Sequence, residues 1–275
     1  MKTRCELCFH HCELEEGQAG LCRARGRRDG KVVSLNYGKL TSLALDPIEK
    51  KPLRQFHPGS RILSVGSFGC NLRCPFCQNH EISMAAEGEA QTVEVSPERL
   101  AAKAVELVPQ GNIGVAYTYN EPLTGYEYVQ DCAALAHGRG LVNVLVTNGT
   151  IEETPWRALL PFIDAANIDL KGFTAAWYRR LGGDLDTVKR SIVLAAEQCH
   201  VEVTTLLIPG ENDSVEEIRE LARWLASVDP NIPLHLSRFF PRYQMTDHLP
   251  TPVKQVYQLA EEARAYLAYV YTGNC

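Results

Sequence analysis

From Arg61 onward, short runs rich in β-branched and aromatic residues alternate with longer segments of helical periodicity. That alternation constrains the fold more than any other feature, because strand–helix repeats bury their apolar faces by forming a parallel sheet with helices packed on it. The strands read from the pattern span 61–67, 113–117, 142–146, 165–170, 201–208 and 234–238. Two helix starts stand out between them. Ser96-Pro97-Glu98 places a capping serine before proline at the first position of a helix running to Val108. Ser214-Val215-Glu216-Glu217 reads as a capping box ahead of an amphipathic run to Val228. Six strands with intervening helices and no long insertion predict an α/β fold, a partial (β/α)6 TIM-like barrel in preference to an open doubly wound sheet. Either way, polar groups at the C-terminal ends of the strands face the active site. The expected divisions are 1–57, an N-terminal Cys-rich metal-binding module; 58–245, the core barrel; and 246–275, a C-terminal helix and short strand packing on the barrel.

With 45% hydrophobic and 22% charged residues over 275 positions, the chain can bury a large core, and disorder is excluded. A net charge of −5 argues against a nucleic-acid partner, and the basic run Arg23, Arg25, Arg27, Arg28 and Lys31 reads as a solvated loop. No apolar stretch approaches a membrane span, and Met1-Lys2-Thr3-Arg4-Cys5 leads into polar residues instead of a signal-peptide core. A cytoplasmic location without a membrane partner is therefore expected. In a reducing compartment, ten cysteines point to metal or redox sites and away from disulfides.

The cysteines fall into two groups. Cys70-Asn71-Leu72-Arg73-Cys74-Pro75-Phe76-Cys77 follows directly after the 61–67 strand, in a loop flanked by Gly66 and Gly69, where a barrel's active face would be. Chance placement would give a fixed three-cysteine spacing about 0.013 times in such a chain. Thiolates are the ligands of iron–sulfur clusters, and a cubane takes four. Three cysteines in one tight loop can hold three irons and leave the fourth open. A zinc loop completed by a distant ligand such as His80 is the plainer alternative.

This C-x3-C-x2-C motif, with an aromatic residue just before its last cysteine, resembles that of the radical S-adenosylmethionine (SAM) superfamily. The resemblance implies a 4Fe-4S cluster at Cys70, Cys74 and Cys77 whose open iron chelates the amino and carboxylate groups of SAM. It also implies reductive cleavage of SAM to methionine and a 5′-deoxyadenosyl radical that takes hydrogen from a substrate. A reductant protein such as flavodoxin or ferredoxin would supply the electron, and the unidentified substrate is a small molecule or a protein. Further segments extend the likeness: the run from Ala44 to Leu53, His57-Pro58-Gly59-Ser60, Cys77-Gln78-Asn79, Tyr117-Thr118-Tyr119-Asn120-Glu121-Pro122, Asn167-Ile168-Asp169-Leu170-Lys171-Gly172 and Phe239-Phe240-Pro241. All look like the AmmeMemoRadiSam-system radical SAM enzymes, relatives of the activating enzymes of glycyl-radical enzymes such as pyruvate formate-lyase. Glycyl-radical activation of a protein partner is thus one alternative function. A non-catalytic metal-binding or assembly module that retains the fold is another.

By the same resemblance, Glu121 accepts the SAM ammonium, while Tyr119 and Asn120 replace the two glycines of the Gly-Gly-Glu-like segment of relatives. Asn120 and Asn148, the latter from Thr147-Asn148-Gly149, belong to the implied cofactor-binding set. So do Asp169 and Lys171, for which a structural ion pair is the competing reading, and His235, matched to a histidine near the adenosyl group, for which the competing reading is a satisfied core histidine. Val146 stands where activating enzymes often have a cation-binding aspartate, so that site is not carried over. Glu202 and Thr204 share one face of their strand.

Cys5, Cys8, Cys12 and Cys22 supply four soft ligands within eighteen residues, in a segment too small to fold on an apolar core alone. Zinc and an auxiliary iron–sulfur cluster both suit four thiolates. Activating enzymes with extra clusters carry them in an insertion that this chain lacks, so zinc is the favoured expectation, with His10 or His11 as substitutes for one cysteine and free thiols as the remaining alternative. Cys132 and Cys199 read as core residues. Tyr271-Thr272-Gly273-Asn274 looks like a segment after which relatives continue into a tail with another cysteine pair, whereas Cys275 is the last residue here. Either the lineage lost that tail or the sequence is a shortened one.

Overall fold

The computed structural model describes residues 2–275. Its main sheet has eight strands: β1 (Ser42–Pro47), β2 (Arg61–Gly66), β3 (Asn112–Tyr117), β4 (Val142–Thr147), β5 (Ala165–Asp169), β6 (His200–Leu207), β7 (Leu234–Arg238) and β8 (Val270–Gly273). Neighbours in sequence are neighbours in the sheet. β1 runs antiparallel to β2, and every later pair is parallel. The six strands read from the sequence are β2 to β7, each matched to within one residue at either end.

Seven helices pack on this sheet or cap its ends: α1 (Pro97–Glu106), α2 (Tyr126–His137), α3 (Glu153–Leu159), α4 (Ala175–Arg180), α5 (Leu185–Ala196), α6 (Val215–Val228) and α7 (Val253–Arg264). α6 shows why the pattern was readable. Ile218, Leu221, Ala222 and Leu225 recur at helical spacing and are all buried. Ser214 caps it by accepting from the Glu217 N–H at 3.1 Å. The reciprocal half of the capping box is absent, because Glu217 instead accepts from the Phe173 N–H at 2.5 Å and ties the loop after β5 to α6. α1 starts at the expected proline but stops at Glu106, and a 3-10 turn at Val108–Gln110 follows.

Strand residues alternate strictly between two environments. Leu63, Leu145, Ile168, Val203 and Leu236 face the helices in the main core, while Ile62, Ala116, Val144 and Ala165 face inward in a smaller one with Ile48 and Leu53. Those last two belong to the chain between β1 and β2, which enters the inside of the curved sheet. There, Asn167 donates to the Pro52 carbonyl at 2.9 Å, and Glu202 accepts from the main-chain N–H groups of Arg54 and Gln55 at 3.0 and 2.8 Å. Gln55 also donates to the Tyr271 hydroxyl on β8 at 3.0 Å. One segment leaving β1 thus touches the strand at the far edge, so the sheet curls into an incomplete barrel whose N-terminal end is plugged by residues 48–60.

Two findings bear on the expected divisions. The sheet begins inside 1–57, since β1 pairs with β2 over its whole length. β8 is a full member of the same sheet, hydrogen-bonded to β7. The rest of the N-terminal segment forms short hairpins, Thr3–Arg4 with Glu13–Leu14 and Arg25–Arg28 with Lys31–Ser34. No helix among the described residues is long and apolar enough to cross a membrane.

Candidate active site

At the C-terminal ends of the strands the barrel opens into a cavity of about 360 Å³. The loop after β2 brings Cys70, Cys74 and Cys77 to its wall, and no fourth cysteine and no histidine lines it. His80, the ligand a zinc loop would recruit, has its Nδ1 against the Cys77 carbonyl at 3.3 Å and stacks on Tyr243. Three thiols around an open cavity fit a cubane bound by three irons, with the fourth facing the cavity. Donors already stand at Cys70: the Leu72 N–H at 3.4 Å and the Asn148 side-chain amide at 3.8 Å from Sγ. Burial pushes the Cys70 and Cys74 thiols up, Cys74 to about 11, so loading a metal releases protons here. Leu72, Phe76, Trp177, Leu181, Phe239 and Met245 pack around Cys74 as an apolar shell, which limits the access of water to this wall.

Glu121 follows β3 at the cavity's edge. Its Oε1 accepts from the Thr147 hydroxyl at 2.6 Å and the Leu123 N–H at 3.1 Å, and its Oε2 from the Asn148 N–H at 2.7 Å. A carboxylate has about four acceptor positions, so one on Oε2 is left for an incoming donor. Burial pushes the Glu121 carboxyl up to about 7 against the pull of these hydrogen bonds, and the Asp169 charge adds to the rise. A cationic ligand would reverse that.

Asp169 and Lys171 both line the cavity and pair at 2.8 Å. Burial opposes the charge on Lys171, but Asp169 and the sulfur of Cys74 outweigh it and raise its pKa. The pair is therefore an ion pair at the barrel end and also a wall of the cavity, beside Cys74.

Asn120 and Asn148 line the cavity too, with their side chains already committed. Asn120 accepts from the Ser67 N–H at 2.9 Å and donates to the carbonyls of Phe68 and Gly69 at 3.2 and 3.0 Å. It thus staples the Glu121 segment to the base of the cysteine loop and has little left for a ligand. Asn148 donates to the Asn71 side chain at 2.9 Å and accepts from the Thr150 N–H at 2.8 Å, so its remaining contact is the one to Cys70.

His235 is not in the cavity lining. Its Nε2 meets Glu202 at 2.5 Å and its ring stacks on Tyr271, beside the barrel plug. Strand tilt explains this position. Ladder pairing links Asp169 to Thr204 and Thr204 to His235, but in a tilted barrel ladder partners do not share a height. On β7 the residue that reaches the cavity is Ser237, two positions further along the same face.

Sequence reasoning also missed Lys51. Its ammonium is buried against Asp46 at 2.9 Å and lies 4.6 Å from the centroid of the Tyr119 ring. The Tyr119 hydroxyl donates to the same Asp46 at 2.6 Å, while Asn79 holds its carbonyl at 2.7 Å. These anchors hold Tyr119 at φ +73, a left-handed conformation costly for a bulky residue and free for glycine. The left-handed geometry that a glycine allows is thus held here by a pinned tyrosine. Alternation could not reveal Lys51, which sits on no strand.

The family model for the radical SAM superfamily matches residues 64–225. This chain belongs to the radical SAM superfamily. Its matched region runs from β2 through α6 and contains every cavity residue named above except Lys51 and Ser237. Among curated relatives, an uncharacterized protein of Methanocaldococcus jannaschii is 39% identical over 99% of this chain and 81% of its own length. The pyruvate formate-lyase-activating enzyme of Clostridium pasteurianum is 27% identical over 62% of this chain and 71% of its own. Among solved structures, QueE from Escherichia coli superposes with a TM-score of 0.54 at 15% identity, covering 85% of this chain and 92% of that one, a likeness of fold. Radical SAM proteins characteristically bind a 4Fe-4S cluster and SAM, and the open thiol set found here suits both.

Proposed function

We propose that this radical SAM protein is an enzyme that cleaves SAM reductively and abstracts hydrogen from a substrate presented at the cavity mouth. One observation carries the reading: the three cysteine thiols and the spare acceptor position of Glu121 open onto the same cavity. When bound, the cluster and SAM supply the electron and the 5′-deoxyadenosyl radical, with an external one-electron carrier of the flavodoxin or ferredoxin kind as reductant. Cys70, Cys74 and Cys77 hold the irons, and Asn148 and the Leu72 N–H donate toward the Cys70 sulfur. Glu121 receives the SAM ammonium in its charged form. Lys171, kept charged by Asp169, faces the negative charge of a thiolate-bound cluster next to Cys74.

The cavity lies at the small end of the range for a drug-sized ligand. A cavity of this size leaves little room for a substrate beside SAM, so the C–H bond to be attacked would be presented at its mouth. Both a small molecule and a peptide segment of a partner fit such an approach.

Anaerobic reduction of the cluster-loaded protein in the presence of SAM should yield 5′-deoxyadenosine, measured by liquid chromatography. In Cys74→Ala the product should fall to background while the far-ultraviolet circular dichroism is unchanged. A loaded, reducible cluster that gives no 5′-deoxyadenosine with SAM would overturn the reading.

A further inference from the structure

We propose that Cys5, Cys8, Cys12 and Cys22 hold a second 4Fe-4S cluster, seated directly behind the cysteine loop of the active site. All four line one small, largely enclosed cavity to which no carboxylate contributes. A hydrogen bond from the Cys5 N–H to the Cys12 carbonyl at 2.9 Å closes the first hairpin, and one from His11 N–H to the Cys8 carbonyl at 3.0 Å turns it. The donor set is therefore four soft sulfurs held by short, weakly cored hairpins, a kind of segment that folds on its metal.

Four thiolates satisfy either one zinc ion or a cubane. A cubane gives each thiolate its own iron, the arrangement implied for Cys70, Cys74 and Cys77, and the second thiol set lies directly against that loop. The cluster is therefore proposed in place of the zinc favoured from the sequence.

The histidine substitutes also drop out. The Nε2 of His10 is engaged by the Asn71 carbonyl at 2.8 Å, and His11 faces Glu6 and Glu152 at 3.3 and 3.5 Å. Arg25 adds a positive sign. Its guanidinium is buried beside Cys5 and forked onto Glu127 at 2.7 Å. A buried cation next to a thiol favours that sulfur as an anionic cluster ligand.

The two thiol sets share a wall. The Cys70 N–H donates to the Cys22 carbonyl at 3.2 Å. Gly69, at φ +88, permits that approach, because a Cβ there would fall 2.6 Å from both the Cys22 carbonyl oxygen and the Ala24 side chain. Asn71 lines the rear cavity, while its neighbours Cys70 and Leu72 line the active-site cavity.

The test is metal content and spectroscopy on the full chain, purified anaerobically from cells supplied with both iron and zinc. Without SAM in the measurement, its outcome is independent of the reaction proposed above. The wild type should carry about eight irons and about eight labile sulfides per chain, and Cys70→Ala/Cys74→Ala/Cys77→Ala about four of each with almost no zinc. On reduction, the wild-type electron paramagnetic resonance spectrum should show two interacting clusters, and the triple variant one isolated cubane. Cys8→Ser/Cys12→Ser should show the other cubane alone. About four irons with about one zinc in the wild type would overturn the proposal, as would about four irons with no zinc. Two clusters without magnetic interaction would overturn their adjacency.

Discussion

The two ends of the barrel are built from the same strands and do opposite work. On β5, β6 and β7, Asn167, Glu202 and His235 point inward at the plugged end, and two residues further on Asp169, Thr204 and Ser237 point inward at the cavity. At the lower end every polar group has a partner within the protein. Glu202, fully buried, accepts from two backbone N–H groups and faces both His200 and His235. At the upper end Glu121 keeps an acceptor position and the three thiols keep their ligand capacity. The difference teaches that inward-facing polarity on a barrel strand does not by itself mark an active site. What marks it is polarity left unsatisfied.

Charge state sharpens the contrast. Burial would raise the Glu202 carboxyl, but its hydrogen bonds win and hold it at about 2, whereas burial wins at Glu121 and lifts it to about 7. The two groups therefore contribute to stability with opposite pH dependence. Glu202 contributes fully above about pH 4.5, its unfolded value, and that contribution is lost as pH falls through about 2. Glu121 contributes fully below about 4.5, and its share is lost as pH rises through about 7.

The largest expected effect at the lower end comes from Glu202→Gln, which removes the charge that His235 and His200 face. Stability should fall by about 3 kcal/mol in denaturant titration, with SAM affinity of the folded, cluster-loaded protein within twofold of wild type. Equal losses of stability and SAM affinity would erase the division between the ends. Glu121→Gln should do the reverse, weakening SAM binding about tenfold while leaving the denaturation midpoint nearly unchanged. Next in size is the pH response of wild type. The rise in melting temperature on adding SAM to the loaded protein should be greater at pH 8 than at pH 6, because SAM offsets an ionised Glu121 only where that group ionises. The smallest effect should be that of His235→Gln, about 1 kcal/mol of stability with SAM affinity unaltered. A clear loss of SAM affinity in that variant would return His235 to the cavity.

Much of this was readable from residues alone, for identifiable reasons. β2 to β7 are central strands whose outward faces meet helices, so their apolar runs are strong and their limits sharp. β1 escaped because an antiparallel edge strand with an exposed Leu43 and a terminal Pro47 carries little pattern. The cysteine loop, Glu121, Asp169 and Lys171 reach the cavity because they lie at or beyond strand ends, where motif and topology coincide. His235, assigned by resemblance, lies outside the cavity lining because height in a barrel depends on strand tilt, which pairs of residues two apart do not encode. Glu217 was misread because its side chain answers to a loop distant in sequence. The roles of Lys51 and Asn71 emerge only when separate segments are brought together.

The chain between β1 and β2 links the two ends. Lys51 forms part of the upper cavity, and three residues later the backbone at Arg54 is bonded to Glu202 in the lower seal. The cavity floor and the stopper are one continuous piece of polypeptide, tied down at both levels. The depth of the chamber is thereby set by the length of this strap. Evolution or engineering that seeks to accommodate bulkier molecules must widen the rim, because digging downward would pull the stopper out.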